Sequence, residues 1–241
     1  NDAERFIALG IDESKVDVTG SIKFDISVPE QSLAQGKELK QLWGENRRVL
    51  VLASSHEGED DLILASYQQL LADFPDLLLI IVPRHPERFD EVAALILDRG
   101  LHLVRRRESF EKGNLQPSAM TQVYLADTMG EMLLLLASAD IAIIGGSFIE
   151  HGGHNPLEAC ALSKAVVMGP SDYNFAAIVQ QLISQGAMQQ ASAEQLALCL
   201  RQLLERPELS AEMGASGKRV VADNQGAVAR LTELVGEQLH C

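Results

Sequence analysis

From residue 47 the chain alternates between two hydrophobic periods. Continuous apolar runs of strand length, RRVLVLAS (47–54), DLLLIIVPR (76–84), LHLVRRR (101–107), TQVYLAD (121–127), DIAIIGG (140–146) and AVVMG (165–169), alternate for most of this stretch with segments whose apolar residues recur at helical spacing. Those segments are 59–74, 86–100, 129–139, 155–163 and 174–186. They are followed by a short strand at 187–190 and several C-terminal helices. Strands that are apolar at every position are buried on both faces, as in a parallel sheet covered by helices. The pattern predicts an α/β fold, a doubly wound parallel sheet.

The first 45 residues break this rhythm. Residues 1–11 are patterned as a helix, 15–25 as a strand leading into an irregular loop, and 29–44 as a helix. They read as a linker or interdomain segment with its own N-terminal elements, ahead of a sheet domain at 46–241, and would either dock on that domain or belong to an interface with something else. The polar stretch 108–120 has no period and is expected to be a loop.

Composition narrows the class. The chain has 241 residues, 46% hydrophobic and 22% charged, as ordinary globular domains do. The longest apolar runs, 77–82 and 132–137, fall far short of the ~20 residues of a membrane-spanning helix. The first residue is asparagine with no apolar leader behind it, so the sequence reads as a mature form or a piece of a longer chain. Cys160, Cys199 and Cys241 are widely spaced and read as reduced thiols. The formal charge, 20 − 34 = −14, argues against nucleic acid as a partner. Basic groups are nevertheless concentrated at PRHPERF (83–89) and RRR (105–107). The second of these reads as a solvated edge.

Ligands of doubly wound sheets bind outside the carboxyl ends of the strands. Four such ends carry dense polar loops: SSHEGED (54–60), PRHPER (83–88), ADTMGE (126–131) and GGSFIEHGGHN (145–155). In the last, Gly145 and Gly146 permit close backbone approach, and Gly152 and Gly153 permit positive φ. Asn155 and Pro156 then open a helix whose free N–H groups favour an anion. Glu158 stands at capping-box distance from Asn155, so it is either a cap or a carboxylate for ribose hydroxyls. Arg84 at a strand end suits a phosphate, against the alternative of an ion pair with Glu87 or Asp90; Arg88 reads as structural. His56, His85, His151 and His154 with Glu57 and Glu150 would suit a metal-dependent hydrolase. HGGH, however, lies in a glycine loop rather than on a helix, and no metal is expected. Neither GxGxxG nor a Walker A sequence is present.

Taken together, VTGSIKFD, SSHEGED, VPRHPERF, ADTMGEM and GGSFIEHGGHNPLE, in this order, resemble the C-terminal half of the Kdo transferases. These enzymes attach 3-deoxy-D-manno-octulosonic acid (Kdo) to the lipid A precursor of Gram-negative bacteria. The resemblance covers nearly the whole chain. It implies a GT-B glycosyltransferase with a Rossmann-like C-terminal domain that binds CMP-Kdo. A second, N-terminal domain would carry the acceptor site, the catalytic base and the membrane contact at the cytoplasmic face of the inner membrane. The chain alone would then be inactive and need no cofactor. For residues, it implies that Arg84 meets the CMP phosphate, Met129 and Gly130 border the cytidine, and Glu158 holds the ribose. Ser147, Gly152, Gly153 and Asn155 would surround the phosphate and sugar. Ser54, Ser55, His56, Glu57, Glu59, His85, His151 and His154 would line the cleft. The family commonly has threonine where Ser55 stands, and proline where Ala159 follows NPLE. The alternatives are another GT-B enzyme, a UDP-sugar transferase or an epimerase, and the metal-dependent hydrolase.

Overall fold

The computed structural model describes residues 2–111 and 120–239. Seven parallel strands form a single sheet: β1 (Val49–Ser55), β2 (Leu78–Pro83), β3 (Leu103–Arg105), β4 (Val123–Leu125), β5 (Ile141–Ile144), β6 (Ala165–Met168) and β7 (Gln189–Gln190). Their order across the sheet is β3-β4-β2-β1-β5-β6-β7. The helices are α1 (Asp2–Ala8), α2 (Glu30–Trp43), α3 (Glu59–Leu70), α4 (Phe89–Asp98), α5 (Arg106–Glu111), α6 (Met132–Ser138), α7 (Leu157–Ala161), α8 (Ala176–Ser184), α9 (Ala193–Glu205), α10 (Pro207–Asn224) and α11 (Ala227–Leu239).

Alternation along each strand divides the core in two. Val49, Val51 and Ala53 of β1 face one side with Leu39 and Trp43 of α2, Leu135 of α6 and Val220 of α10. Leu50 and Leu52 face the other with Ile63 and Leu64 of α3, Ile96 of α4 and Leu200 of α9. Both faces are covered, which is why the strands carry no polar alternation.

The helix expected at 29–44 forms as α2, and of the two placements left open for the N-terminal segment it takes the one on the sheet domain: α2 lies against α6, and Gly36 makes the crossing possible. A Cβ at Gly36 would sit 2.5 Å from that of Ala137. The strand expected within 15–25 does not form. Short 3-10 turns occupy Glu13–Lys15 and Ile22–Phe24, where Asp12 and Ser21 accept hydrogen bonds from the N–H groups of Ser14 and Lys23. Val18 is left 71% exposed with no neighbouring strand, while Phe24 enters the core beside α2. The expected loop from residue 108 is also corrected, because α5 extends through Glu111; residues 112–119 of that expectation lie outside the described residues. Among the described residues no helix is long and apolar enough to cross a membrane. Cys160 and Cys199 are unpaired, and Cys241 lies outside the described residues.

Candidate functional site

The chain runs from β1 to one side of the sheet (β2, β3, β4) and then returns to the other (β5, β6, β7). The order reverses between β1 and β5, which places a crevice at their carboxyl ends. There Ser54 takes a left-handed φ of 61°, and the β1–β2 ladder slips between Ala53 and Ser55. The Ser54 carbonyl is thereby pressed against Gly145, where a Cβ would lie 2.3 Å from the oxygen. Gly145 is therefore required by a neighbouring backbone rather than by a ligand.

A carboxylate beneath the crevice joins the β1 and β5 loops. Glu59, at the first turn of α3 and fully buried, accepts from the N–H groups of His56 (3.0 Å), Gly146 (2.6 Å), Ser147 (3.0 Å) and Phe148 (2.9 Å). This corrects the expectation that Glu59 lines the cleft, since its oxygens are taken up by four amides. Ser147 is corrected on the same ground: its hydroxyl donates to the Ile144 carbonyl (2.5 Å) and accepts from the Gly169 N–H (2.7 Å), with no exposed surface. Ser55 is also fully buried, and its Oγ has no partner among the described residues. Gly152 and Gly153 take the expected positive φ (85° and 71°). Their N–H groups are directed inward, to Ser171 Oγ (2.9 Å) and the Gly146 carbonyl (2.7 Å), rather than toward a ligand.

Other side chains do face the crevice. Arg84 is exposed, anchored by its backbone N–H to the Ser55 carbonyl (3.0 Å), and its guanidinium has no ion pair among the described residues. The alternative partner Asp90 binds Arg105 instead (2.7 Å), and Glu87 approaches His85 (3.9 Å). A cavity of about 180 Å³ opens between β1, β5, α6 and α7, lined by Ala53, Ser54, Met132, Leu136, Ile144, His154, Asn155 and Glu158. Asn155 Oδ1 accepts from the Leu157 N–H (3.0 Å) and so starts α7, but the capping box is not closed. Among the described residues the Glu158 carboxylate has no hydrogen-bond partner, and burial raises its pKa. Met129 is 58% exposed at the rim, and Gly130 has a positive φ (80°) with open space before it. Glu57 is exposed on the same rim.

The four histidines converge. His56 Nε2 lies 2.6 Å from His154 Nε2, with the rings stacked at 4.9 Å; His151 is centred 4.0 Å and His85 5.4 Å from His56. Ring nitrogens of His56, His151 and His154 all lie within 4.8 Å of one another. Burial, reinforced by His151, His154, His85 and Arg88, holds His56 down to about 4. Burial, then His151, Arg84 and His85, does the same to His154.

Two buried pairs that the sequence pattern did not single out shape the walls. Arg88 donates to Asp60 (2.6 Å) and tethers the β2 loop to α3, the structural role expected of it. Arg106, expected on a solvated edge, is buried and grips Glu131 with two nitrogens (2.5 and 2.6 Å); Thr128 donates to the same carboxylate. Arg105 likewise pairs with Asp127 (2.8 Å), so the basic run braces the loop carrying Met129 and Gly130. Arginine in a run gives no pattern signal for this, because its partners lie about twenty residues away.

A parallel sheet with its polar loops gathered at the switch point defines a doubly wound α/β domain, the class in which ligands are bound in that crevice. Residues 45–220 match the glycosyl transferases group 1 family, and the chain belongs to it. It is 39% identical to the 3-deoxy-D-manno-octulosonic acid transferase of Haemophilus influenzae, over 96% of this chain and 54% of that protein. It is 38% identical to that of Bordetella pertussis, over 92% and 51%. The crystal structure of the C-terminal CMP-Kdo binding domain of WaaA from Acinetobacter baumannii superposes with a TM-score of 0.74 at 37% identity, covering 80% of this chain and 99% of that one. The chain thus spans about half the length of the curated relatives it matches, and the fold expected from the sequence, that of the C-terminal half of a GT-B glycosyltransferase, is the fold observed.

Proposed function

We propose that the chain is the donor-binding domain of a Kdo transferase and holds CMP-Kdo in the crevice between the β1 and β5 loops. The observation that carries this reading is an exposed Arg84 beside His154, which lines one cavity with Glu158, neither Arg84 nor the Glu158 carboxylate having a side-chain partner among the described residues, in a chain 37% identical to a CMP-Kdo binding domain along nearly all of that domain. Arg84 takes the phosphate, Glu158 the ribose hydroxyls, and the Met129–Gly130 rim the cytosine. Asn155 sets the start of α7 behind them.

In the transfer, an acceptor hydroxyl attacks the anomeric carbon of Kdo, and the bond from that carbon to the phosphate oxygen breaks. CMP leaves with the electron pair, and the configuration inverts. The hydroxyl proton passes to a base in the companion half of the enzyme, which also holds the lipid A precursor at the cytoplasmic face of the inner membrane. This domain contributes a fixed positive charge where the leaving phosphate gains negative charge. Neither a cofactor nor a metal enters the reading.

Calorimetric titration with CMP, UMP and UDP tests it. CMP is expected to bind, with UMP and UDP at least about tenfold weaker, a difference of roughly 1.4 kcal/mol. Arg84→Ala is expected to weaken CMP by about 10- to 100-fold, the value of a charged hydrogen-bonded contact, at unchanged melting temperature. Equal affinity for UDP would point instead to a UDP-sugar enzyme.

A further inference from the structure

His56, His151 and His154 meet at the crevice mouth beside His85, Arg84 and Arg88, with the Glu59 carboxylate beneath them on the His56 and Gly146 N–H groups and Glu158 in the same cavity lining as His154. The titratable and charged groups beside His56 are His85 and Arg88 from the β2 loop, His151 and His154 from the β5 loop and Glu59 from α3, whose oxygens are taken up by four amides; those beside His154 are Arg84, His85, His151 and, across the shared cavity, Glu158 from α7. Glu57 and Glu150 are close in sequence but exposed, and Arg88 is already paired with Asp60. In a chain of net charge −14, the exposed guanidinium of Arg84 beside these imidazoles is a local concentration of basic groups. The His56–His154 contact at 2.6 Å places a single hydrogen between two nitrogens, one donating and one accepting. A second proton there needs an anion to offset the repulsion.

We infer that His56, His151 and His154, with Arg84, form a cradle for a carboxylate on the donor sugar and take up a proton when it binds. The inference rests on the donor assignment above. Glu158 and His154 line the cavity, whereas His56 and His151 stand outside its lining on the same pair of loops. A nucleotide seated in the cavity brings its phosphate to Arg84 and His154, and the next anionic group along the ligand meets His56 and His151. An octulosonic acid carries its carboxylate on the anomeric carbon, directly beside the phosphoester, where that second anion is needed.

A divalent cation would use the same nitrogens, and the geometry opposes it. Two nitrogens at about 2.05 Å from a tetrahedral zinc lie roughly 3.3 Å apart, well beyond the observed contact. Among the described residues no carboxylate or carbonyl receives a second ring N–H, the usual support for a ligating imidazole. Arg84 also places a cation beside the position a metal would occupy.

Since the buried His56 ring and the partly buried His154 ring are neutral near pH 7, the anion must raise their proton affinity as it binds, and affinity therefore falls as pH rises. The test titrates the chain with CMP-Kdo, CMP and free Kdo at pH 6 and pH 8, in buffers of differing ionisation enthalpy. CMP-Kdo is expected to bring about one proton with it and to weaken by about tenfold between the two pH values. His151→Ala and His154→Gln are each expected to shrink the preference for CMP-Kdo over CMP by about tenfold, the value of one charge-assisted hydrogen bond, with melting temperatures confirming the fold. Because His151 is exposed, its variant keeps the test valid if His154→Gln does not fold. The inference is overturned if no proton is taken up, if the variants weaken CMP and CMP-Kdo equally, or if Zn²⁺ alone binds at micromolar concentration and His154→Gln abolishes it. Proton-linked binding of free Kdo without any binding of CMP would keep the cradle and remove the nucleotide assignment. Binding of CMP with no preference for CMP-Kdo would do the reverse.

Discussion

Four backbone N–H groups from two loops converge on the Glu59 carboxylate, and each hydrogen bond to a charged acceptor is worth about 1.5–3 kcal/mol. Glu59→Gln keeps the volume but turns an amide donor toward those N–H groups. It is expected to cost about 3–5 kcal/mol, read as a lower urea midpoint, and to weaken CMP as the β5 loop relaxes. Arg84→Ala is expected to weaken CMP with no such shift, so the pair separates scaffold from contact. At this scale the sequence was only partly readable. The positions of Arg84 and Glu158 in the fold were legible because a strand end and a helix start locate them. Glu59 and Ser147 were placed at the right loops but on the wrong side of them, since spacing gives no information on whether a side chain turns outward or under its own backbone.

The elements owe their positions to small residues where layers touch. Gly36 lets α2 lie against α6, and the Cβ of an alanine there would also fall 2.8 Å from the Leu134 carbonyl. Gly36→Ala is expected to destabilise the fold by about 1–3 kcal/mol in chemical denaturation, through displacement of a helix that buries Leu39 and Trp43. Glu131→Gln should cost about 3–5 kcal/mol for a different reason, because it leaves Arg106 buried without its carboxylate. The strands and most helices were legible within a few residues, because a strand buried on both faces leaves an unbroken apolar run. The 15–25 segment was misread because β-branched Val16, Val18 and Thr19 set a strand propensity that needs a partner strand to be realised. The fold offers none there.

Over the whole molecule, the charge imbalance has a pH signature. His56 and His154 are held down to about 4 against 6.5 in an unfolded chain, so the unfolded state binds more protons across that interval. Stability is therefore full above pH 6.5 and falls as pH drops toward 4, by at most about 1.4 kcal/mol per pH unit for each ring. Glu158 works the other way: its raised pKa lets the folded state gain a proton first and offsets part of the loss above its unfolded value. His154→Gln is expected to flatten the fall of melting temperature between pH 6.5 and pH 4.5, and an unchanged slope would contradict the assignment. The gathering of polar loops at the carboxyl ends of the strands, where the switch point between β1 and β5 falls, was legible from the alternation of strands and loops. The strand order that creates the switch point was not, because pairing across the sheet is set by which faces the helices cover.

The carboxylate of Glu59 has a mechanical consequence. Held by the same pair of oxygens, the tips of the β1 and β5 loops cannot part from one another without breaking several charged hydrogen bonds at once. The floor of the crevice therefore moves as a solid piece or not at all. Amide hydrogen exchange should register the coupling, with the N–H groups of His56, Gly146, Ser147 and Phe148 opening together at one common rate.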